Sequence, residues 1–214
     1  MRLLQRSASE HALLLEHCEP GTPLSELSDH DAVLDAGADV LRRLWSAPVP
    51  DTPFEPLEAV TDWFAELVET RQRDQGRPLP HRLVGEAVTS LRDLPRSASE
   101  RAVLHHDFHP GNALAARRMP WLAIDPKPQV GDPAFDPIQL ILQTSDPLND
   151  DNPAETIRYR LLRLADRLRL DPDRIRAWGV ARCVEWSLSR ASRSERSDAA
   201  RDAEHARLFS SVRC

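Results

Sequence analysis

The chain has 214 residues, 41% of them hydrophobic and 29% charged, with a formal net charge of -6; that length and balance suffice to bury a core and exclude intrinsic disorder as the resting state. The acidic balance speaks against a nucleic-acid partner, whose phosphates require dense arginine and lysine, and suits a cationic ligand better. No apolar run is long enough to span a bilayer, Met1-Arg2-Leu3-Leu4 is too short for a secretory signal, and Cys18, Cys183 and Cys214 show no CxxC spacing, so a cytoplasmic protein without membrane contact is expected.

In chain order, residues 12–18 form a short apolar run closed by Pro20-Gly21, which predicts a buried strand and a turn. Oxygens in Ser28 to Asp31 can cap a helix whose apolar face is Val33, Gly37, Val40, Leu41, Leu44 and Trp45, ended by Pro48, Pro50, Pro53 and Pro56. A second helix carries Leu57, Val60, Phe64, Leu67 and Val68, and a third carries Leu83, Val84, Ala87, Val88, Leu91 and Leu94, with a Pro-rich link at 76–80. Residues 113–116 and 121–124 predict a hairpin. Beyond Asp136 helices are expected around Ile138 to Leu142, over 157–168 and over 175–189, followed by an exposed terminal helix whose alternating charges make a solvated face.

The chemistry lies in His105-His106-Asp107-Phe108-His109-Pro110-Gly111-Asn112 and, after the hairpin, Asp125-Pro126-Lys127. Phosphoryl transfer needs a carboxylate to orient the acceptor hydroxyl and take its proton, and separate oxygen ligands for Mg²⁺ on the phosphates. Asp107 suits the first task, and Asn112 and Asp125 suit the second, because Mg²⁺ prefers oxygen. Pro110-Gly111 turns the asparagine back toward the aspartate.

These two segments, with the earlier LLLEHCEPGTPL, resemble the catalytic loop, metal-aspartate segment and hinge strand of the aminoglycoside phosphotransferase family of the streptomycin and hydroxyurea type, from about residue 2 to about residue 190. The resemblance implies an α+β, mostly α, protein-kinase-like fold, chiefly a helical C-terminal lobe with a catalytic-loop hairpin. It implies ATP and Mg²⁺ as cofactors, Asp107 as catalytic base, Asn112 and Asp125 as metal ligands, and the backbone of Glu16, His17 and Cys18 as the adenine contact. His105 and Asp136 would support the catalytic loop. The implied reaction is ATP-dependent phosphorylation of a hydroxyl on a small molecule, a streptomycin-like aminoglycoside or a hydroxyurea-like compound, of the antibiotic-resistance type.

The sequence also departs from that family. No glycine-containing phosphate loop and no strand lysine precede residues 16–18, and Lys127 is the sole lysine. Residues 1–20 are therefore expected to be a remnant of an N-terminal lobe and its hinge strand, and 21–214 the helical lobe, with activity impaired. A strand at 12–17 without neighbours exposes an apolar edge, which predicts self-association.

Blander readings stand beside these. His105, His106 and His109 serve as loop-packing residues, Asp132 and Asp136 as helix-start carboxylates, and Trp63, Trp178 and Trp186 as core. Lys127 either meets a phosphate or is simply exposed. Glu155, Glu185 and Asp146, Asp150 and Asp151 are read as surface groups or as the lining of a cation pocket. Two alternatives remain for function: a non-catalytic kinase remnant, and a metal-dependent HD-type phosphohydrolase built on His105, His106, Asp107 and His109, which needs the His-Asp doublet on a helix.

Overall fold

Asp29 opens α1 (His30–Trp45): its Oδ1 accepts from the backbone N–H groups of Asp31 at 3.0 Å and Ala32 at 3.2 Å, filling two of the helix's unpaired donors. The computed structural model describes residues 1–49 and 54–214. α1 ends at Trp45, ahead of Pro48; Pro50 and Pro53 lie outside the described residues. The next helices, α2 (Leu57–Asp74) and α3 (His81–Asp93), bury the apolar faces read from their spacing, Val60, Phe64 and Val68 on one and Leu83, Ala87 and Leu91 on the other. Trp63 departs from that reading, since it stands 56% exposed beside the buried face.

Four more helices follow: α4 (Pro137–Gln143), α5 (Pro153–Leu168), α6 (Pro172–Ser192) and α7 (Arg196–Ser211). α6 is the axis of the core. It packs on α2, α3 and α7, and Trp178, Val180, Ala181, Cys183 and Val184 are all fully buried along it, each large apolar side chain stabilising the fold by about 1.5–3 kcal/mol. α7 is not the exposed helix expected. Its solvated charges cover one face only, while Ala199, Asp202, Ala203, His205, Ala206 and Phe209 are buried. A Cβ on Gly179 would lie 2.5 Å from the Phe209 ring, so the bare glycine is what lets α7 close on α6.

The strands are short and form three small sheets. β3 (Pro20–Pro23), β6 (Ala113–Ala116) and β7 (Trp121–Ala123) make an antiparallel sheet in which the expected hairpin gains a third strand. β4 (Glu55–Pro56) runs parallel to β8 (Gln129–Gly131), which pairs antiparallel with β5 (Ala102–Leu104). The third is the hairpin of β1 (Leu3–Ser7) and β2 (Ala12–Leu15). Here the expectation of a buried strand fails. Leu3, Leu4, Leu13 and Leu14 are 55–61% exposed, because β1 satisfies one edge of β2 while no layer among the described residues covers either face; Cys18 alone of the run is buried. Among the described residues the chain is mostly helical, and no helix is long and apolar enough to cross a membrane.

Candidate active site

The loop between β5 and β6 carries residues 105–112, and its shape follows from which of them are apolar. Phe108 is fully buried and pins the loop to the core, so its neighbours Asp107 and His109 turn outward. The His105 ring packs edge-on against Phe108 at 5.3 Å, and its Nε2 lies 2.9 Å from the Ile124 carbonyl oxygen. His106 adopts a left-handed backbone, φ +65°, a conformation that costs a non-glycine residue free energy. Asp136 holds that conformation in place: its Oδ1 accepts from His106 N–H at 2.8 Å, and its Oδ2 accepts from His105 N–H at 2.9 Å and Trp45 Nε1–H at 3.0 Å. Asp136 makes no side-chain cap on α4, so its helix-start reading is replaced by this bracing of the loop. Asp132 does cap, accepting from Ala134 N–H at 3.0 Å, and also grips α6 through Arg174 and Trp178.

Asp107 presents its carboxylate to a cavity. Oδ1 accepts from Gln139 Nε2 at 2.9 Å and Oδ2 from Lys127 Nζ at 2.5 Å. Burial pushes this carboxyl up, but the two hydrogen bonds and the Lys127 charge together outweigh it and hold the pKa below the usual carboxylate value. Lys127 is exposed, as one of its two readings held, and is at the same time the ion partner of Asp107. Burial, reinforced by the Arg182 charge, lowers His106 to about 3, so its ring is neutral. The His106-Asp107 doublet lies in a loop, which removes the helix that an HD-type hydrolase requires.

His109 Nδ1 accepts from Gly111 N–H at 3.1 Å, and Asn112 N–H donates to the His109 carbonyl at 2.9 Å, closing the tight turn at Pro110-Gly111. Asn112 Nδ2 donates to the Asp107 carbonyl at 2.9 Å, which leaves its Oδ1 uncommitted. Ile124 N–H donates to the Asn112 carbonyl and Lys127 N–H to the His105 carbonyl, each at 3.0 Å. Asp125, between those two bonds, takes φ +53° and is exposed. The amide oxygen of Asn112 and the carboxylate of Asp125 therefore belong to stitched segments, and their chemistry fits a hard divalent cation. Residues 16–18 enter beside the hairpin: Glu16 donates its N–H to the Arg2 carbonyl at 2.9 Å and pairs with Arg118 at 2.6 Å, while His17 is exposed and Cys18 buried just ahead of β3.

The cavity beside Asp107 measures about 580 Å³, within the range of small-molecule sites. Its far side comes from α6 and α7. Arg182 lies buried there over the rings of Phe64, Phe135 and Trp186 at 4.7–5.0 Å and pairs with Glu185 at 3.2 Å. Glu185 is therefore a buried partner, not a surface group. Asp146 also lines the cavity, whereas Asp150, Asp151 and Glu155 line a separate cleft between α1 and α5. Sequence reading missed Gln139, Arg182, Arg190, Arg201, Asp202 and His205. One signal was available for Arg182: a charge amid Val180, Ala181, Cys183 and Val184 is costly to bury and needs a reason.

A sequence profile of the aminoglycoside/hydroxyurea antibiotic resistance kinases matches residues 1–195. The chain belongs to that family. It is 32% identical to a streptomycin 6-kinase of Streptomyces glaucescens, over 88% of this chain and 61% of that protein. To a hydroxyurea phosphotransferase of Kitasatospora aureofaciens it is 33% identical, over 86% and 52% respectively. The chain thus spans between about half and three-fifths of the length of these relatives. Among solved structures, the choline kinase LicA of Streptococcus pneumoniae matches with a TM-score of 0.64 at 16% identity, covering 99% of this chain and 75% of that one. The aminoglycoside phosphotransferase APH(4)-Ia, in a ternary complex with AMP-PNP and hygromycin B, matches with a TM-score of 0.59 at 17% identity, over 88% and 68%. These neighbours share the protein-kinase-like fold with the family member described here.

Proposed function

We propose that this chain carries the phosphate-transfer site of an ATP-dependent kinase acting on a hydroxyl of a small molecule, with a streptomycin-like aminoglycoside or a hydroxyurea-like compound as the acceptor kinds suggested by its relatives. The observation that carries this reading is the Asp107 carboxylate at the mouth of the cavity, its backbone tied to Asn112 and its side chain to Lys127. Asp107 orients the acceptor hydroxyl and accepts its proton as the oxygen attacks the terminal phosphate. A carboxylate held ionised by Lys127 is suited to that task at neutral pH; a histidine lowered to about 3, as His106 is, makes a poor base. Asn112 Oδ1 and Asp125 would hold Mg²⁺, which when bound offsets the charge of the phosphates. The backbone at Glu16, His17 and Cys18 is the proposed adenine edge; because Glu16 N–H is already donated to Arg2, the contact falls to the remaining backbone groups of that segment.

Nucleotide binding by these 214 residues is expected with a Kd on the order of 1 mM. Calorimetric titration of the purified chain with Mg-ATP tests this. Asp125→Ala should remove the binding with only a small drop in melting temperature, since Asp125 is exposed but holds a φ of +53° that alanine tolerates less well; no binding by the folded wild-type chain would favour a non-catalytic remnant.

The leucines exposed on β1 and β2 are the proposed surface for self-association. Replacing Leu4 and Leu14 with Lys should convert an associated species to a monomer in light scattering, and a monomeric wild type would remove the idea.

A further inference from the structure

The three carboxylates lining the cavity are not equally committed. Asp107 accepts from Lys127 and Gln139, and Asp146 accepts from Leu148 N–H and faces His205 Nε2 at 3.0 Å and Arg201 Nε at 3.3 Å. Asp202 is only 6% exposed, yet it accepts no hydrogen bond among the described residues. Arg190 Nε lies 3.1 Å from its Oδ2 but is not aligned with it, and that oxygen is buried without a donor. A buried carboxylate left in this condition costs free energy, and it stands on the wall of a cavity of about 580 Å³, large enough for a substituted ring of sugar size.

The cations around Asp202 each have another acid to hold. Arg190 also reaches Asp198 at 3.6 Å, Arg201 pairs with Asp146 and Asp198, Arg182 with Glu185, and Lys127 with Asp107. An incoming cation can therefore take the face of Asp202 that Arg190 fills imperfectly, while Arg190, 36% exposed, falls back on Asp198 and no charge is left alone. A guanidinium or ammonium group brings charge-assisted donors to that carboxylate, stronger than those a hydroxyl offers.

We infer that Asp202 is the seat of a cationic group of the acceptor, a guanidinium or ammonium carried on the ring whose hydroxyl reaches Asp107. The inference rests on the reading that this cavity receives the acceptor of a phosphate transfer. Asp202 lies on α7, past residue 195 where the family profile stops, so the assignment comes from this chain's own packing.

The seat has a pH signature. Burial pushes the Asp202 carboxyl up to about 6; Arg190 on α6 and Arg201 on α7 oppose it, while Asp198 and Glu185 act with it. Cys183, behind it on α6, has its thiol raised by burial and stays neutral. The rest of the lining titrates lower: against the effect of burial, hydrogen bonds hold Asp107 and Asp146 below the usual carboxylate value, and burial lowers His205 and takes His106 to about 3. A cation held by ionised Asp202 therefore binds less tightly as pH falls through about 6, by about tenfold between pH 8 and pH 5.

Streptidine, a cyclitol bearing guanidinium groups, and scyllo-inositol, the ring with hydroxyls alone, are titrated calorimetrically into the full chain without nucleotide, at pH 8 and pH 5. The wild type should bind streptidine at pH 8 and lose about tenfold at pH 5, with scyllo-inositol unaffected. Asp202→Asn keeps the shape of the side chain; it should weaken streptidine about 10–100-fold at pH 8, abolish its pH dependence and leave scyllo-inositol within about threefold. Arg190→Gln removes the internal competitor and should tighten streptidine about threefold, a change of opposite sign that a merely structural ion pair would not give. No streptidine binding by the wild type at millimolar concentration, wild-type binding by Asp202→Asn, a pH dependence that persists in that variant, or weaker binding in Arg190→Gln would each overturn the inference. Transfer of labelled phosphate from ATP separates it from the kinase reading: the expected binding pattern without transfer to streptidine would remove the kinase and leave the seat standing, whereas transfer with KM unchanged in Asp202→Asn would remove the seat and leave the kinase.

Discussion

Asp107→Asn should reduce phosphate transfer by about 10²–10⁴-fold, the range over which a positioned general base contributes, while leaving Mg-ATP affinity within about twofold. The amide keeps the shape of the carboxylate but cannot accept a proton, and it releases Lys127 from a 2.5 Å ion pair. The loss belongs in kcat, because Asp107 in this reading holds neither metal nor nucleotide. The pH profile adds an independent readout. The wild-type carboxyl titrates below the usual carboxylate value, since Lys127 and Gln139 outweigh the effect of burial; the base is therefore ionised throughout neutral pH, and the acid limb of the rate should fall below about pH 4. An acid limb near pH 6–7, or full activity in Asp107→Asn, would assign the proton to another group.

Asp136→Ala is expected to cost about 3 kcal/mol or more of stability, a large fraction of the ~5–15 kcal/mol available to a domain. Three N–H donors, from His105, His106 and Trp45, converge on this carboxylate, which is only 3% exposed. Removing it leaves them without an acceptor, at about 1–3 kcal/mol for each buried unpaired group, and leaves the left-handed His106 held only by the stacking of its ring on Phe135 and Phe64 and by Gln139 at its carbonyl. Urea unfolding measures the loss as a lower midpoint at unchanged slope. Asp136→Asn, which retains one acceptor oxygen, should fall between wild type and alanine. A midpoint for Asp136→Ala within about 0.5 kcal/mol of wild type would mean that Phe108 and the bonds joining His105 and Asn112 to residues 124–127 hold the loop without the carboxylate.

Much of this architecture was legible from residues three and four apart. The apolar stripes of α1, α2 and α3, the cap at Asp29 and the hairpin around residues 113–124 are local features, and each formed where its spacing required. Features that depend on distant chain segments were not legible. β8 is three residues long and is defined by partners at 55–56 and 102–104, which no local pattern encodes. The leucines of β2 carried the signal of a buried strand, but hydrophobicity reports only a tendency to be covered and cannot say whether a covering layer exists. α7 was misjudged for the opposite reason. Its buried face is built from alanines, an aspartate, a histidine and one large apolar residue, Phe209, too weak an apolar stripe to stand out, and its docking depends on the absence of a side chain at Gly179 on another helix.

The site divides along the same line. His105 to Asn112 and Asp125 could be found because phosphate chemistry demands particular groups at particular spacings. The cavity's other walls use arginines and aspartates, residue types that in sequence look like ordinary solvated surface; Arg182, set among apolar neighbours, is the exception, and for Asp202 burial alone makes the distinction.

The docking of α7 on α6 gives the two sides of the cavity different addresses in the chain. The groups proposed to move phosphate lie before residue 128, inside the stretch matched by the family profile, whereas three of the side chains lining the cavity, Arg201, Asp202 and His205, come from a helix past residue 195. Substitutions on that helix would reshape one wall of the cavity while leaving the loop at 105–112 in place, provided Phe209 still seats against Gly179. A chimera that swaps this helix between relatives is therefore the natural unit for changing one side of the cavity alone.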